Sequence, residues 1–350
     1  MPGATGRATR PATIEDVAKA AGVSRAAVSK VIRSAYGVSP AMKDKVTRAI
    51  AQLNYRPSLA ARAMRGSTFT IGFEIPGLTN DFLFRILAGA AEALHGTNYQ
   101  LIVAPATADA AEGYRAIGSL ADRQVDGIVA ISPLVTSEWL ETLASRVPLV
   151  MIGRHDTPVN YDSVVGDDIT GAGLVMEHLL ALGHTRIAHL TLPEKITNFA
   201  VPGPHARRLD SYIAAMRSSG HFQPDLIWRS GSSMQESEVV ALEFLTRPNR
   251  PTALFAGNDE MALGVMHAAG KLGLASHDLA IVGYDNIEVA RLPGVSLSSI
   301  DQSGLEMGYD AVALLMERIS GRTESRTIVK SPKLRVRQSS SSPRAPLGRE

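Results

Sequence analysis

Arg25, Ala26, Ser29 and Lys30 fall on one outward face if residues 24–32 form a helix. That set can read DNA. Arg and Lys donate to guanine O6 and N7 in the major groove, and Ser29 suits a base edge or a phosphate oxygen. The plainer alternative is a small helical bundle with a solvated basic face. Charge separates the two: residues 1–66 carry 12 basic and 3 acidic side chains, a net +9, whereas residues 67–350 carry 24 and 31, a net −7. A short basic head on an acidic body favours a head that meets a polyanion.

The elements that must present this face are legible. Thr13 and Asp16 have the spacing of a capping box, and Ile14, Val17, Ala18 and Ala21 share a helical face. Gly22 ends that helix, because it tolerates a positive φ. Ser24 caps a second helix that buries Ala27, Val28, Val31 and Ile32. Ser39-Pro40 opens a third, burying Val46, Ile50 and Leu53. Three short helices, the first two joined by a tight glycine turn, make a helix-turn-helix unit.

After Gly66 the pattern changes. Apolar runs at 69–75, 99–104, 127–131, 147–152, 186–191, 252–256 and 279–283 alternate with amphipathic segments near 82–95, 109–123, 170–182, 206–219, 235–246, 259–272 and 304–320. This alternation predicts parallel sheets with helices on both faces, in two doubly wound lobes. Ligands of such sheets bind beyond the carboxyl ends of the strands.

Several function classes lack support. There are no cysteines for disulfides, iron–sulfur clusters or thiolate zinc sites. No GxGxxG follows the first strand, and there is no Walker A loop, GxSxG or HExxH. The nine histidines are scattered, with His184 and His189 wrongly spaced for one helical metal face, so each reads as a surface or satisfied core residue. No cofactor and no catalytic residue is expected. The N-terminal MPGATGRATRPAT has no apolar h-region, and no run approaches the roughly 18 residues of a membrane helix, so a soluble cytoplasmic protein is expected.

The stretch TIEDVAKAAGVSRAAVSKVI (13–32), continued by VSPAMKDKVTRAIAQLNYRPSLAARAMRG (38–66), resembles the headpiece of the lactose-repressor (LacI) family of bacterial regulators. The resemblance implies that Arg25, Ala26 and Lys30 read bases, with Ala26 either against a thymine methyl or silent. It implies that Thr13, Ser24, Ser29, Asn54 and Tyr55 approach the phosphate backbone. Residues 57–65 match the family's hinge helix, which wedges an apolar side chain into the minor groove and kinks the DNA. Met64 holds the wedge position, with Arg62 and Arg65 near phosphates; packing of Met64 on its dimer mate is the alternative.

The resemblance continues through Asn80-Asp81-Phe82, Asp167-Asp168, Arg208, Asn258-Asp259, Gly283-Tyr284-Asp285-Asn286 and the return crossing Leu297–Ile300. It implies a periplasmic-binding-protein-like body with an effector in the interlobe cleft. Phe82 would stack on the ligand, Arg208 would make paired hydrogen bonds, and Asn258 and Asp285 would meet hydroxyls. Asp81, Arg154 and Asp167 join this set, although for Asp167 and Asp285 a strand-end or cap carboxylate remains the alternative. Such a site suits a small, polar, carbohydrate-like effector.

The expected organisation is therefore a lead-in at 1–12, an all-α headpiece at 13–56, a hinge helix at 57–66, a two-lobed α/β body at 67–337 and a disordered tail at 338–350. The first lobe is placed at about 67–165 and 294–325, the second at about 166–293 and 326–337. The expected function is a ligand-responsive transcriptional repressor. It would bind a pseudo-palindromic operator as a homodimer, because one headpiece has too small an interface for strong specificity. A solute receptor explains the body alone, and a sugar-processing enzyme with a DNA-binding head needs a catalytic constellation that the sequence lacks.

Overall fold

A computed structural model describes residues 10, 12–32, 35–56, 67–107 and 109–340. The hinge segment 57–66, with Arg62 and Met64, lies outside the described residues, as do most of the lead-in and residues 341–350. The chain divides into two compact units after Thr68.

The first unit holds α1 (Ile14–Ala21), α2 (Arg25–Ile32) and α3 (Pro40–Gln52). Its capping is local. The Asp16 N–H donates to Thr13 Oγ1 at 3.3 Å, and the Thr13 N–H donates to Asp16 Oδ2 at 2.8 Å, closing the capping box. Gly22 sits at φ +66°, and the Ala27 N–H donates to Ser24 Oγ at 3.1 Å. Val17, Val28 and Val46 are fully buried where the three helices meet, joined by Ala18, Val31, Ala49 and Tyr55.

Among its described residues the second unit contains two six-stranded sheets. The first sheet comprises β1 (Thr70–Ile75), β2 (Gln100–Pro105), β3 (Gly127–Ile131), β4 (Leu149–Ile152), β5 (Asp162–Gly166) and β11 (Thr327–Lys330), in the order β11-β5-β4-β3-β1-β2, all parallel. The second comprises β6 (Ile187–Thr191), β7 (Ile227–Arg229), β8 (Ala253–Ala256), β9 (Ala280–Tyr284), β10 (Ser298–Asp301) and β12 (Lys333–Arg335), in the order β12-β10-β9-β8-β6-β7. Among the described strands β12 alone runs antiparallel, against β10. Strands β1, β3, β4, β5, β6, β8 and β9 are buried at every position, as helices on both faces require.

Helices that matter to the cleft are α4 (Asp81–Ala93), α5 (Ala110–Asp122), α6 (Ser137–Ala144), α7 (Asp168–Ala181), α8 (Glu194–Thr197), α9 (Pro204–Ser218), α10 (Met234–Leu245), α11 (Asp259–Lys271) and α12 (Gly304–Ile319). In both sheets the strand order reverses beside the first strand: β1 lies between β2 and β3, and β6 between β7 and β8. Each reversal leaves a crevice at the carboxyl ends of the strands.

Among the described residues the chain crosses between sheets three times: between β5 and α7, between β10 and α12, and between β11 and β12. This corrects the expected lobe limits. Residues 298–301 pair with β9 in the second sheet, and residues 327–330 pair with β5 in the first. The expected tail is corrected too. Ser339 accepts the Ile281 N–H at 2.7 Å through its carbonyl, and its own N–H donates to Ser296 O at 3.0 Å. Ser340 Oγ lies 2.7 Å from Ser298 Oγ and 2.9 Å from His178 Nε2. Residues 338–340 thus satisfy backbone and hydroxyl groups beside β9 and β10 that would otherwise lack partners.

Candidate functional site

In the headpiece, the local caps aim α2. Burial of Val28 and Val31 turns Arg25, Ala26 and Lys30 outward, where all three are exposed, and Ser29 is half-buried at the edge of that face. Thr13 is half-buried and Ser24 exposed, each with its hydroxyl at a helix N-terminus. Asn54 is exposed at φ +45° beyond α3. Tyr55 differs from the rest: it is a core residue, 8% exposed, packed among the apolar side chains of the three helices.

In the body, the strand ends of both sheets enclose a cavity of about 180 Å³. Its size suits a metabolite. Glu74 near the end of β1, Pro76 just after it, Ser132 after β3, Leu192 after β6, Asn258 after β8 and Asp285 after β9 all line it, so the two crevices face one space. Of the residues predicted for the effector, Phe82, Arg154, Arg208, Asn258 and Asp285 line this cavity.

Arg208 projects from α9 and is held on three sides. Its Nε donates to Asp168 Oδ1 at 2.8 Å, its Nη1 donates to Gly257 O at 2.7 Å, and its guanidinium carbon lies 3.6 Å from the centre of the Tyr284 ring. Among the described residues Nη2 has no hydrogen-bond acceptor, which leaves one edge of the fork for a ligand. Burial pushes the Asp168 carboxyl up, but Arg208 and His155 outweigh it and hold the group below its ordinary value. His155 Nε2 is 3.0 Å from Asp168 Oδ2.

Asn258 caps α11: its Oδ1 accepts the Met261 N–H at 2.8 Å, which orients the amide beside the cavity. Asp285 sits at φ +112°, outside the regions that L-residues prefer, and accepts from Gln302 Nε2 at 2.5 Å. Strained backbone of this kind persists where the surroundings over-determine it. Burial lifts the Asp285 carboxyl well above its ordinary value, against the pull of Arg208. Phe82 lies across Gly304, where a Cβ would stand 2.5 Å from the ring.

Arg154 lines the cavity, but its donors are already engaged. Nε meets Asp156 Oδ2 at 2.5 Å, Nη1 donates to Val135 O at 2.8 Å, and Nη2 donates to Ser137 Oγ at 2.9 Å. It braces the loop after β3 from the cavity wall.

Two predicted residues do not line the cavity. Asp167 is a cap: its Oδ1 accepts the Thr170 N–H at 3.0 Å and its Oδ2 accepts from Thr170 Oγ1 at 2.7 Å. Asp81 opens α4 with an exposed side chain, while its backbone N–H donates to Glu260 Oε1 of the other lobe at 2.7 Å. In both cases the helix N-terminus decides, because the first turn offers donors and a positive end.

Sequence reasoning missed Glu74 and His205, and it named Asp168 only within the Asp167-Asp168 motif, without a place in the site. Glu74 had a signal, as the one charged residue in the run FTIGFEI. It is 1% exposed, its Oε2 accepts the Ile131 N–H at 3.1 Å, and burial pushes its carboxyl up to about 8. His205 is held neutral by burial, at about 3. His189 is a core residue, fully buried, with Nδ1 2.9 Å from Phe255 O.

A basic three-helix reader on a two-lobed binding body defines the class of ligand-responsive DNA-binding regulators. Residues 13–58 match the bacterial regulatory proteins of the lacI family, and residues 176–340 match the periplasmic binding protein-like domain. The chain is 33% identical to catabolite control protein A of Priestia megaterium, over 93% of this chain and 98% of that protein. It is 34% identical to the ribose operon repressor of Escherichia coli (strain K12), over 89% and 94%. Among solved structures, the lac repressor dimer bound to operator and the anti-inducer ONPF superposes with a TM-score of 0.77 at 26% identity, covering 95% of this chain and all of that one. A CelR–cellobiose complex gives 0.68 at 29% identity, covering 94% and 99%. The chain belongs to the LacI family of bacterial transcriptional regulators. These are DNA-binding repressors rather than enzymes, which removes the enzymatic and solute-receptor alternatives. Among the described residues no helix is long and apolar enough to cross a membrane.

Proposed function

We propose that this protein is a cytoplasmic homodimeric repressor whose operator affinity is set by a small polyhydroxylated metabolite in the cleft. Arg25, Ala26 and Lys30 read base edges, and Thr13, Ser24, Ser29 and Asn54 meet phosphates. Tyr55 supports that surface from the headpiece core. Arg62 and Met64 complete the contact at the centre of the operator. In the cleft, Phe82 covers one face of the ligand while Arg208, Asn258 and Asp285 bind its hydroxyls. Arg154 braces the wall, and Asp81 and Asp167 serve the helices they open.

The observation that carries this reading is the fixed orientation of Arg208 at the strand ends, with Asp168 and Gly257 taking Nε and Nη1. A guanidinium held in this way meets vicinal hydroxyls without further loss of side-chain freedom. The ribose operon repressor, the CelR–cellobiose complex and a ribose-bound LacI-family regulator from Enterococcus faecium support a carbohydrate-like ligand. A ligand shifts DNA affinity only through unequal binding to the DNA-competent and incompetent states, and the coupling is reciprocal.

Selection of duplexes from a random pool, followed by binding at several salt concentrations, tests the reader. Affinity should fall steeply with salt, by a log–log slope of about −0.9 per phosphate contact. Arg25→Ala should relax preference at one base pair at a cost of roughly 1–3 kcal/mol; equal weakening on every sequence makes Arg25 a phosphate contact instead. Arg208→Ala should abolish the effector response and keep operator binding.

A further inference from the structure

β1 is buried at every position, and such a strand is normally aliphatic throughout. Glu74 breaks that rule at the crevice between β1 and β3. One carboxyl oxygen takes the Ile131 N–H at 3.1 Å. The other, Oε1, has no hydrogen-bond partner among the described residues, and no Lys, Arg or His among them forms an ion pair with this carboxylate. Glu74 nevertheless lines the cavity.

The two cleft arginines are both committed to carboxylates. Arg154 pairs with Asp156 at 2.5 Å, and Arg208 pairs with Asp168 at 2.8 Å, all four side chains being buried or nearly so. Each pair is neutral overall. The cleft therefore offers an incoming ligand no uncompensated positive charge, while the first lobe offers in Glu74 a buried acid with no cation beside it; of the other acids that line the cavity, Asp285 has Arg208 nearby and Gln302 bonded to it, and Asp109 is exposed and caps α5. A phosphate or carboxylate on the ligand would face Glu74 with nothing to offset it. A ligand with hydroxyls alone would leave the isolated acid unpaired if it ionised, a costly state for a buried carboxylate. An ammonium group removes that cost, because a charge-assisted hydrogen bond forms where water is excluded.

We propose that Glu74 is the counter-charge for a protonated amine on the ligand, making the effector an amino sugar or a comparable aminated polyol. This deepens the cleft reading and rests on it. The amine meets the first lobe at Glu74, while Arg208 and Asn258 of the second lobe take hydroxyls. A ligand so held spans both strand-end crevices.

The test uses the full chain with D-glucosamine and D-galactosamine as probes, against D-glucose, D-galactose, N-acetyl-D-glucosamine and glucose 6-phosphate, read by calorimetry and thermal shift. At least one amine should bind about tenfold or more tighter than its neutral parent, the scale of a hydrogen bond to a charged group. Its N-acetyl form, which keeps the ring and loses the charge, should lose that advantage. E74Q keeps an acceptor for the Ile131 N–H, and it should bind amine and parent alike. The wild-type comparison with the N-acetyl sugar needs no variant and stands even if E74Q fails to fold. Equal binding of parent and amine, an amine preference that survives in E74Q, or no binding by either amine overturns the role of Glu74. The cleft reading fails separately, if a bound probe leaves operator affinity unchanged or if Arg208→Ala still binds it.

Discussion

Asp168 Oδ1 lies 2.8 Å from Arg208 Nε, and the two side chains are 1% and 4% exposed. The pair joins the start of α7, immediately after the first crossing between lobes, to α9 in the cavity wall. An ion pair this deep recovers its desolvation cost only with good geometry and additional hydrogen bonds, which Gly257 O and His155 supply.

Removing one partner should therefore cost more than removing both. Asp168→Ala leaves a buried guanidinium uncompensated and should lower unfolding free energy by about 3–5 kcal/mol. Urea unfolding of Asp168→Ala, Arg208→Met and the double variant forms the cycle. A loss below about 1 kcal/mol for Asp168→Ala would place the pair in water rather than in the core.

The α4–α12 contact is set by two glycines. A Cβ at Gly308 would meet Ile86 O at 1.8 Å, and one at Gly89 would meet Leu305 O at 1.9 Å. Gly308→Ala must push the helices apart and should cost roughly 1–3 kcal/mol. Gly118, inside α5, has nothing within 4 Å of its Cβ position. There the same change should stabilise by about 0.5–1 kcal/mol. Matching effects at the two sites, measured by thermal unfolding, would refute the close approach.

Asp162 is the acid-sensitive clamp of the first lobe. Burial pushes its carboxyl up, but Arg322, Arg318 and the Arg326 N–H together hold it below its ordinary 3.8. A carboxyl depressed in the folded state adds stability above its unfolded value and loses it as pH falls through the folded one. Wild type should thus exceed Asp162→Asn in stability at pH 7, and the difference should shrink below about pH 4. A difference that does not change with pH would show that the carboxylate charge contributes nothing.

Glu74 acts in the opposite sense in the unliganded protein. Burial raises it from 4.5 to about 8, so the folded state prefers the protonated acid. Its contribution is intact below about pH 4.5 and is lost progressively as pH rises to about 8. Measured against Glu74→Gln, wild type should weaken across that window and then level off. Parallel pH profiles for the two proteins would contradict the burial of this carboxyl.

The headpiece was readable because its determinants lie within a few residues of one another. The Thr13–Asp16 box, the Gly22 turn and the Ser24 and Ser39 caps are local hydrogen bonds, and the chain need only be helical to form them. Strand–helix alternation was readable for the same reason, since burial on both faces leaves an apolar run. Short edge and crossing strands were not: β7 and β12 span three residues each, and β11 is largely exposed. Their pairing partners lie far away in sequence.

Composition, caps and periodicity in the sequence thus determined a basic three-helix reader and a doubly wound binding body. The tertiary structure alone decided which acids serve the site. Asp167 and Asp168 are neighbours, yet one caps a helix and the other pairs with Arg208, forty positions away. Asp81 turns outward at the start of α4, while Glu74, in an apolar strand, turns into the cavity. A carboxylate's role depends on which donors and how much water surround it, and in this chain those surroundings are assembled by three crossings between two sheets.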